Sequence, residues 1–120
     1  MEDEEELSII LEAIRQILKS PATLKYPFEK VAVPKDFRGR PVWNMQKCVG
    51  CGLCSRICPS GAIEMIGKGL KAEIKHYVDR CIFCGQCSES CPRNAITMTD
   101  EFEHAGYGRE KMIYEYRRES

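Results

Sequence analysis

Several common signals are missing from this chain. There are only two histidines, His76 and His104, set 28 positions apart; both are read as surface or interface residues, not as ligands or an acid–base pair. No Gly-x-Gly-x-x-Gly or Gly-Lys-Ser/Thr loop occurs, so neither a nucleotide nor a flavin site is signalled. No apolar run approaches the length of a membrane span, and the start, M-E-D-E-E-E-L, lacks the basic-then-apolar order of a secretory signal. A reducing compartment, where disulfides rarely persist, follows as an expectation. Net charge is absent too, with 18 basic and 18 acidic residues. The balance is uneven: residues 42–99 carry seven bases against four acids, but the positive residues are scattered and form no stripe for nucleic acid. Asn and Gln are few beside Glu, Lys and Arg, a balance that leans toward a thermophile.

What the chain does have is cysteine, eight in 120 residues. A domain of this size buries only about 60–70% of its unfolded surface, so its core is thin and the cysteines are expected to help hold it, as disulfides or as metal ligands. With no secretory signal, metal is the better reading.

The chain reads in four parts. Residues 1–20 form an amphipathic helix: Leu7, Ile10, Leu11, Ile14, Ile17 and Leu18 share one face, Glu12, Arg15, Gln16 and Lys19 the other, and Pro21 stops it. Its apolar face is expected to pack on its own domain or on a partner protein, with membrane contact indirect or peripheral. Residues 21–41 hold four prolines and read as an extended arm. Residues 42–99 are an internal repeat at an offset of 33, which aligns Cys48, Cys51, Cys54 and Cys58 with Cys81, Cys84, Cys87 and Cys91, and also Gly52 with Gly85, Pro59 with Pro92 and Ile63 with Ile96. Each copy is expected to run from an alternating stretch (41–45, 74–78) through a short helix at the third cysteine to a strand after the proline (62–66, 95–99). Residues 100–120 form a C-terminal tail. The expected class is α+β, a two-[4Fe–4S] ferredoxin-like domain with an internal pseudo-two-fold repeat, extended by the helix and the arm.

Both motifs read C-x-x-C-x-x-C-x-x-x-C-P, the run in which three close thiolates wrap one [4Fe–4S] cluster and the fourth reaches the other. The expected ligands are Cys48, Cys51, Cys54 and Cys91 for cluster one, and Cys81, Cys84, Cys87 and Cys58 for cluster two. A zinc ribbon has no use for a third cysteine three residues on, repeated in both copies. Gly50, Gly52 and Gly85 are expected to bring backbone N–H groups close to the sulfurs, and Val49, Ile57 and Ile82 to shield the clusters; both effects tune potential. Glu64, Glu73 and Glu89 read as solvated. No catalytic residue is signalled, so the chain is expected to carry electrons and not to catalyse by itself.

Outside the cysteines, T-L-K-Y-P-F-E, F-R-G-R-P, H-Y-V-D-R-C-I-F-C-G-Q-C and the tail E-F-E-H-A-G-Y-G-R-E-K-M-I-Y-E-Y resemble, in order and spacing over residues 23–116, the two-cluster ferredoxin-like subunit of respiratory complex I. They are closer still to its counterpart in membrane-bound [NiFe] hydrogenases and their sulfur-reducing relatives. Complex I versions run longer, which points to the hydrogenase-like branch. The resemblance implies a subunit fixed in a peripheral arm on the cytoplasmic side of the cell membrane. Its partners would be the cluster-bearing and large subunits of that arm, and soluble ferredoxin its low-potential donor. On this reading residues 21–41 and 100–120 dock on neighbours, with Arg38 and Arg40 as multi-donor anchors and Tyr26, Phe28 and Phe37 as apolar plugs. Lys47, Arg56, Lys68, Lys71, Lys75, Arg80 and Arg93 would offset the clusters' negative charge and steer an acidic donor. The alternatives are a free-standing soluble two-cluster ferredoxin and the ferredoxin-like subunit of a 2-oxoacid oxidoreductase.

Overall fold

The structure, a computed structural model, describes the backbone of residues 2–119 and the side chains of residues 8–119. The expected place of Leu7 on the apolar helix face lies outside those side chains. The chain divides into two units, residues 1–32 and residues 33–120.

The first unit is built on helix α1, Glu2–Leu18. Within the unit its apolar face is uncovered: Ile9, Ile10, Leu11, Ile14, Ile17 and Leu18 are each more than half exposed. The polar face is tied locally, with Glu12 accepting from Gln16 and pairing with Arg15 and Lys19. Beyond the helix, the backbone N–H groups of Phe28 and Glu29 both donate to the Lys25 carbonyl, which closes a turn that leaves Phe28 exposed. No helix among the described residues is long and apolar enough to cross a membrane.

The second unit is α+β. Strand β1 (Pro41–Trp43) leads to helix α2 (Leu53–Ile57) and strand β2 (Ile63–Ile66); β3 (Glu73–Tyr77) leads to α3 (Gln86–Glu89) and β4 (Ile96–Met98). A fifth strand, β5 (Ile113–Tyr116), follows a short 3₁₀ turn at Arg109–Met112. All pairing is antiparallel: β1 with β4, and β3 with β2 on one side and β5 on the other. The copies exchange strands, since each approach strand pairs with the other copy's exit strand. Registers correspond at the offset of 33: Trp43 faces Ile96 as His76 faces Ile63, and Val42 faces Thr97 as Lys75 faces Glu64.

Alternation along β3 puts Ile74 and His76 on the buried face, with Val78 continuing it. With Trp43, Ile63, Cys87 and Ile96, Ile74 makes the core, against which Cys48, Cys54, Cys58, Cys91, Met45 and Tyr116 pack. His76 is therefore not a surface residue: at 0% exposure it is the buried polar residue of this core.

The segments on either side of the repeat fold onto it. Gly39 N–H donates to the Thr99 carbonyl, Thr99 N–H to the Arg40 carbonyl and Arg40 N–H to the Glu101 carbonyl, so residues 39–40 continue the β1–β4 ladder. The Arg40 guanidinium, 11% exposed, donates to Glu101 and to the Tyr116 hydroxyl at 2.6 Å and lies 4.0 Å over the Tyr114 ring. Phe37 packs edge-on against Phe102 at 5.9 Å. Arg38, Arg40 and Phe37, read from the sequence as anchors for a neighbouring subunit, thus bind their own chain. Their partners lie 46 to 76 residues downstream, where no local pattern points to them. The tail supplies β5, a strand that the sequence reading did not foresee.

Candidate iron–sulfur centre

Each cysteine loop is shaped by the same backbone turns. Gly52 and Gly85 take left-handed conformations (φ 70° and 78°) directly before α2 and α3, where an L side chain would be strained. The loop position two residues after the first cysteine is also left-handed in both copies: Gly50 at φ 66° and, against its ordinary preference, Phe83 at 54°. A Cβ at Gly50 would run into the Gly69 carbonyl, so only glycine fits there. Phe83 stacks at 6.0 Å on His104, which is itself half-buried.

These turns aim N–H groups at sulfur. Gly50 N–H donates to Cys48 Sγ and Phe83 N–H to Cys81 Sγ, each at 3.4 Å; Ala62 N–H donates to Cys58 Sγ at 3.3 Å and Ala95 N–H to Cys91 Sγ at 3.4 Å. The short helices are held by equivalent hydroxyls, Ser55 to the Ile63 carbonyl and Ser88 to the Ile96 carbonyl. Every one of these contacts in the first copy has its counterpart 33 residues on.

None of the eight cysteines is paired in a disulfide. They line two cavities. Cys48, Cys51 and Cys54 share the first with Cys91, walled by Trp43, Val49, Met65 and Ile74. Cys81, Cys84 and Cys87 share the second with Cys58, walled by His76, Ile82, Phe83 and Met98. Val49 and Ile82 are 40% and 62% exposed, so they are the outer walls; Ile57 lines neither cavity. Among the described residues no three Cys, His, Asp or Glu side chains are placed to hold a single metal ion. Four cysteines line each cavity, the ligand number of a [4Fe–4S] cluster.

The electrostatics fit such a group. Burial pushes the Cys87 thiol up to about 12 and raises Cys54 and Cys81, so these sulfurs ionise only with a cation to compensate them. At Cys58 burial acts in the same sense but is outweighed by hydrogen bonds from Ser60, Ala62 and Gly61, and its pKa is lowered. The Trp43 indole N–H meets no acceptor within hydrogen-bonding distance, yet it sits near enough to Cys54 to favour the thiolate. His76, buried in the second wall with both ring nitrogens unpartnered, is pushed down to about 4 by burial first and then by Arg40 and His104.

Two arginines from outside the repeat grip the loops. Arg118 donates to the Met45 carbonyl at 2.6 Å and the Cys48 carbonyl at 2.7 Å; Arg38 donates to the Cys84 carbonyl at 2.7 Å and pairs with Glu89. Of the basic residues expected near the motifs, Arg93 lines the first cavity, while Lys75 pairs with Glu115 and Arg80 lies over the Tyr77 ring. Glu64 and Glu73 are likewise engaged, by the Tyr77 hydroxyl and by Arg117. The sequence reading assigned no role to Arg118 or Trp43 and took His76 for a surface or interface residue; for the last two the repeat offset, which aligns Trp43 with His76, was the available signal.

A family model for the 4Fe-4S dicluster domain matches residues 32–96, and a second model of the same description matches residues 80–119. Among curated proteins, the chain is 44% identical over 116 residues to the NAD(P)H-quinone oxidoreductase subunit I of Crocosphaera subtropica, covering 91% of this chain and 58% of that one. It is 47% identical over 51 residues to formate hydrogenlyase subunit 6 of Escherichia coli, covering 42% and 28%. The chain thus spans at most about three-fifths of either relative. Among solved structures it resembles a chain of the membrane-bound sulfane sulfur reductase, an archaeal respiratory membrane complex, with a TM-score of 0.66 and 31% identity over 83% of this chain and 55% of that one. Thiol sets, N–H groups aimed at sulfur and the family match converge: the chain belongs to the 4Fe-4S dicluster family and carries two [4Fe–4S] clusters.

Proposed function

We propose that the chain is an electron relay in which Cys48, Cys51, Cys54 and Cys91 hold one cluster, Cys81, Cys84, Cys87 and Cys58 hold the other, and the two copies are related by a pseudo-two-fold axis. The observation that carries this reading is the exchanged fourth thiol: each cavity takes three cysteines from its own motif and one from the other. Exchange fixes the two sites as neighbours within one core, and neighbouring clusters pass single electrons with no bond made or broken. The strand registers and sulfur hydrogen bonds that recur at an offset of 33 support the axis. The chain is given a relay role and no catalytic step of its own, which the relatives, named as subunits of a formate hydrogenlyase and of an NAD(P)H-quinone oxidoreductase, support.

Its setting is a complex I-related membrane-bound oxidoreductase, a [NiFe] hydrogenase or a sulfur-reducing relative, with the chain as a peripheral subunit on the cytoplasmic side. Reduced soluble ferredoxin, or another low-potential donor, fills one cluster, and a cluster in a neighbouring subunit accepts from the other. The names of the relatives support this setting. So does the apolar face of α1, which its own unit leaves uncovered and which suits a subunit fixed to neighbours better than a free carrier.

The test is native purification through this chain, with metal analysis and spectroscopy. The expected product is a brown multi-subunit complex whose colour bleaches on reduction, with nickel in the hydrogenase branch and iron without nickel in its relatives. A monomeric two-cluster protein would overturn the setting, and an iron-free chain the relay itself.

A further inference from the structure

Trp43 and His76 occupy one position in the two copies. They lie 33 residues apart, and each pairs across its ladder with the other copy's buried isoleucine, Trp43 with Ile96 and His76 with Ile63. Both are buried, at 4% and 0% exposure, and their rings lie 5.2 Å apart. Each lines one cysteine cavity, Trp43 the first and His76 the second. Yet neither imidazole nitrogen has a partner within the protein, and the indole N–H has no acceptor within hydrogen-bonding distance, though it lies near Cys54 of the first cavity. A ring N–H kept out of water without an acceptor is costly, and such groups are rarely left unmatched. The other buried members of this core are apolar, so packing alone has no need of nitrogen at either place.

We propose that the indole N–H of Trp43 and an imidazole N–H of His76 are matched outer hydrogen-bond donors to the sulfur atoms of the first and second clusters, and that the difference between the two rings sets the two reduction potentials apart. The inference rests on the division of thiols proposed above. A donor to cluster sulfur stabilises the more negative, reduced state and so raises the potential. Indole offers one fixed N–H, whereas neutral imidazole offers one N–H and one acceptor nitrogen, which is where the copies part. Because one ring bearing an N–H lines each cavity, each substitution is expected to act on one cluster.

The test is an EPR-monitored redox titration of the full, iron-loaded chain carrying Trp43→Phe, His76→Phe or His76→Gln, with iron content measured in parallel. Trp43→Phe is expected to move one midpoint potential to more negative values, and His76→Phe to move the other, each leaving its neighbour in place. His76→Gln keeps an N–H donor and is expected to recover at least part of the shift. Unchanged midpoints at full iron content overturn the proposal, as does a Gln variant shifted as far as the Phe variant. If no variant at 76 retains its iron, Trp43→Phe decides: an unshifted first midpoint overturns the pairing. Cys91→Ser examines the thiol division separately, since it removes a ligand and not a donor.

Discussion

Arg40 donates to Glu101 and Tyr116 and lies over the Tyr114 ring, so one side chain ties the approach to β1 to the C-terminal segment. Its guanidinium is nearly buried whereas Glu101 is half exposed, so removing it returns the carboxylate to water and leaves the Tyr116 hydroxyl with only its long 3.4 Å bond to the Pro41 carbonyl. Arg40→Met is expected to destabilise the loaded chain by about 1–2 kcal/mol, read from the denaturant midpoint of cluster bleaching. In the pair of Lys75 and Glu115 both side chains are partly open to water, and Lys75→Met is expected to leave that midpoint nearly unmoved. Arg118 and Arg38 make a second contrast. Arg118 spends its fork on two carbonyls of the first loop, whereas Arg38 gives one bond to the second loop and one to exposed Glu89. Arg118→Ala is expected to speed chelator removal of the first cluster about tenfold, the equivalent of roughly 1.4 kcal/mol, with the second cluster unaffected. Arg38→Ala should reverse the order of loss with a smaller effect. Time-resolved EPR under chelator distinguishes the two clusters. In sequence an arginine shows only its charge; that Arg40 finds partners 61 and 76 residues away is settled by chain closure.

Strand β3 is the element on which most depends, because it pairs on both edges. Its alternating pattern was legible, and so were the short helices at the third cysteine of each copy and the strands after each proline. β5 was not legible: only Ile113 to Tyr116 form it, amid charges, and four residues are too few for a pattern to separate from a tail. Pairing with β3 and the packing of Tyr116 on Trp43, at 5.1 Å, decide its state. Removing residues 108–120 would expose the β3 edge and part of the core. Such a chain is expected to aggregate and to lose most of its iron, measured by size-exclusion chromatography with iron analysis. Removing residues 1–32 is expected to change neither iron content nor thermal midpoint, since the eight cysteines and the core all belong to the second unit. That contrast separates the two ends of the chain, which look alike in sequence as appendages to the repeat.

At the scale of the molecule, the clusters and the fold are one problem. Five cysteines belong to the core or pack against it, so the cofactors replace the apolar interior that so short a chain lacks. Cys91→Ser alters the second motif, yet it is expected to remove the first cluster and about half of the iron, while the second cluster's EPR signal persists; loss of the second cluster alone would refute the exchanged arrangement. By itself the sequence determined the cofactor class and the duplication. Thiolate chemistry is fixed by residue type, and a three-residue spacing is short enough for local geometry to carry the reading. Only the tertiary structure decided where the flanking segments go, that His76 is buried beside Trp43, and that arginines from both ends of the second unit hold the cysteine loops. Each of those facts is a contact between residues 33 to 76 positions apart, and such contacts exist only once antiparallel pairing has brought distant strands together.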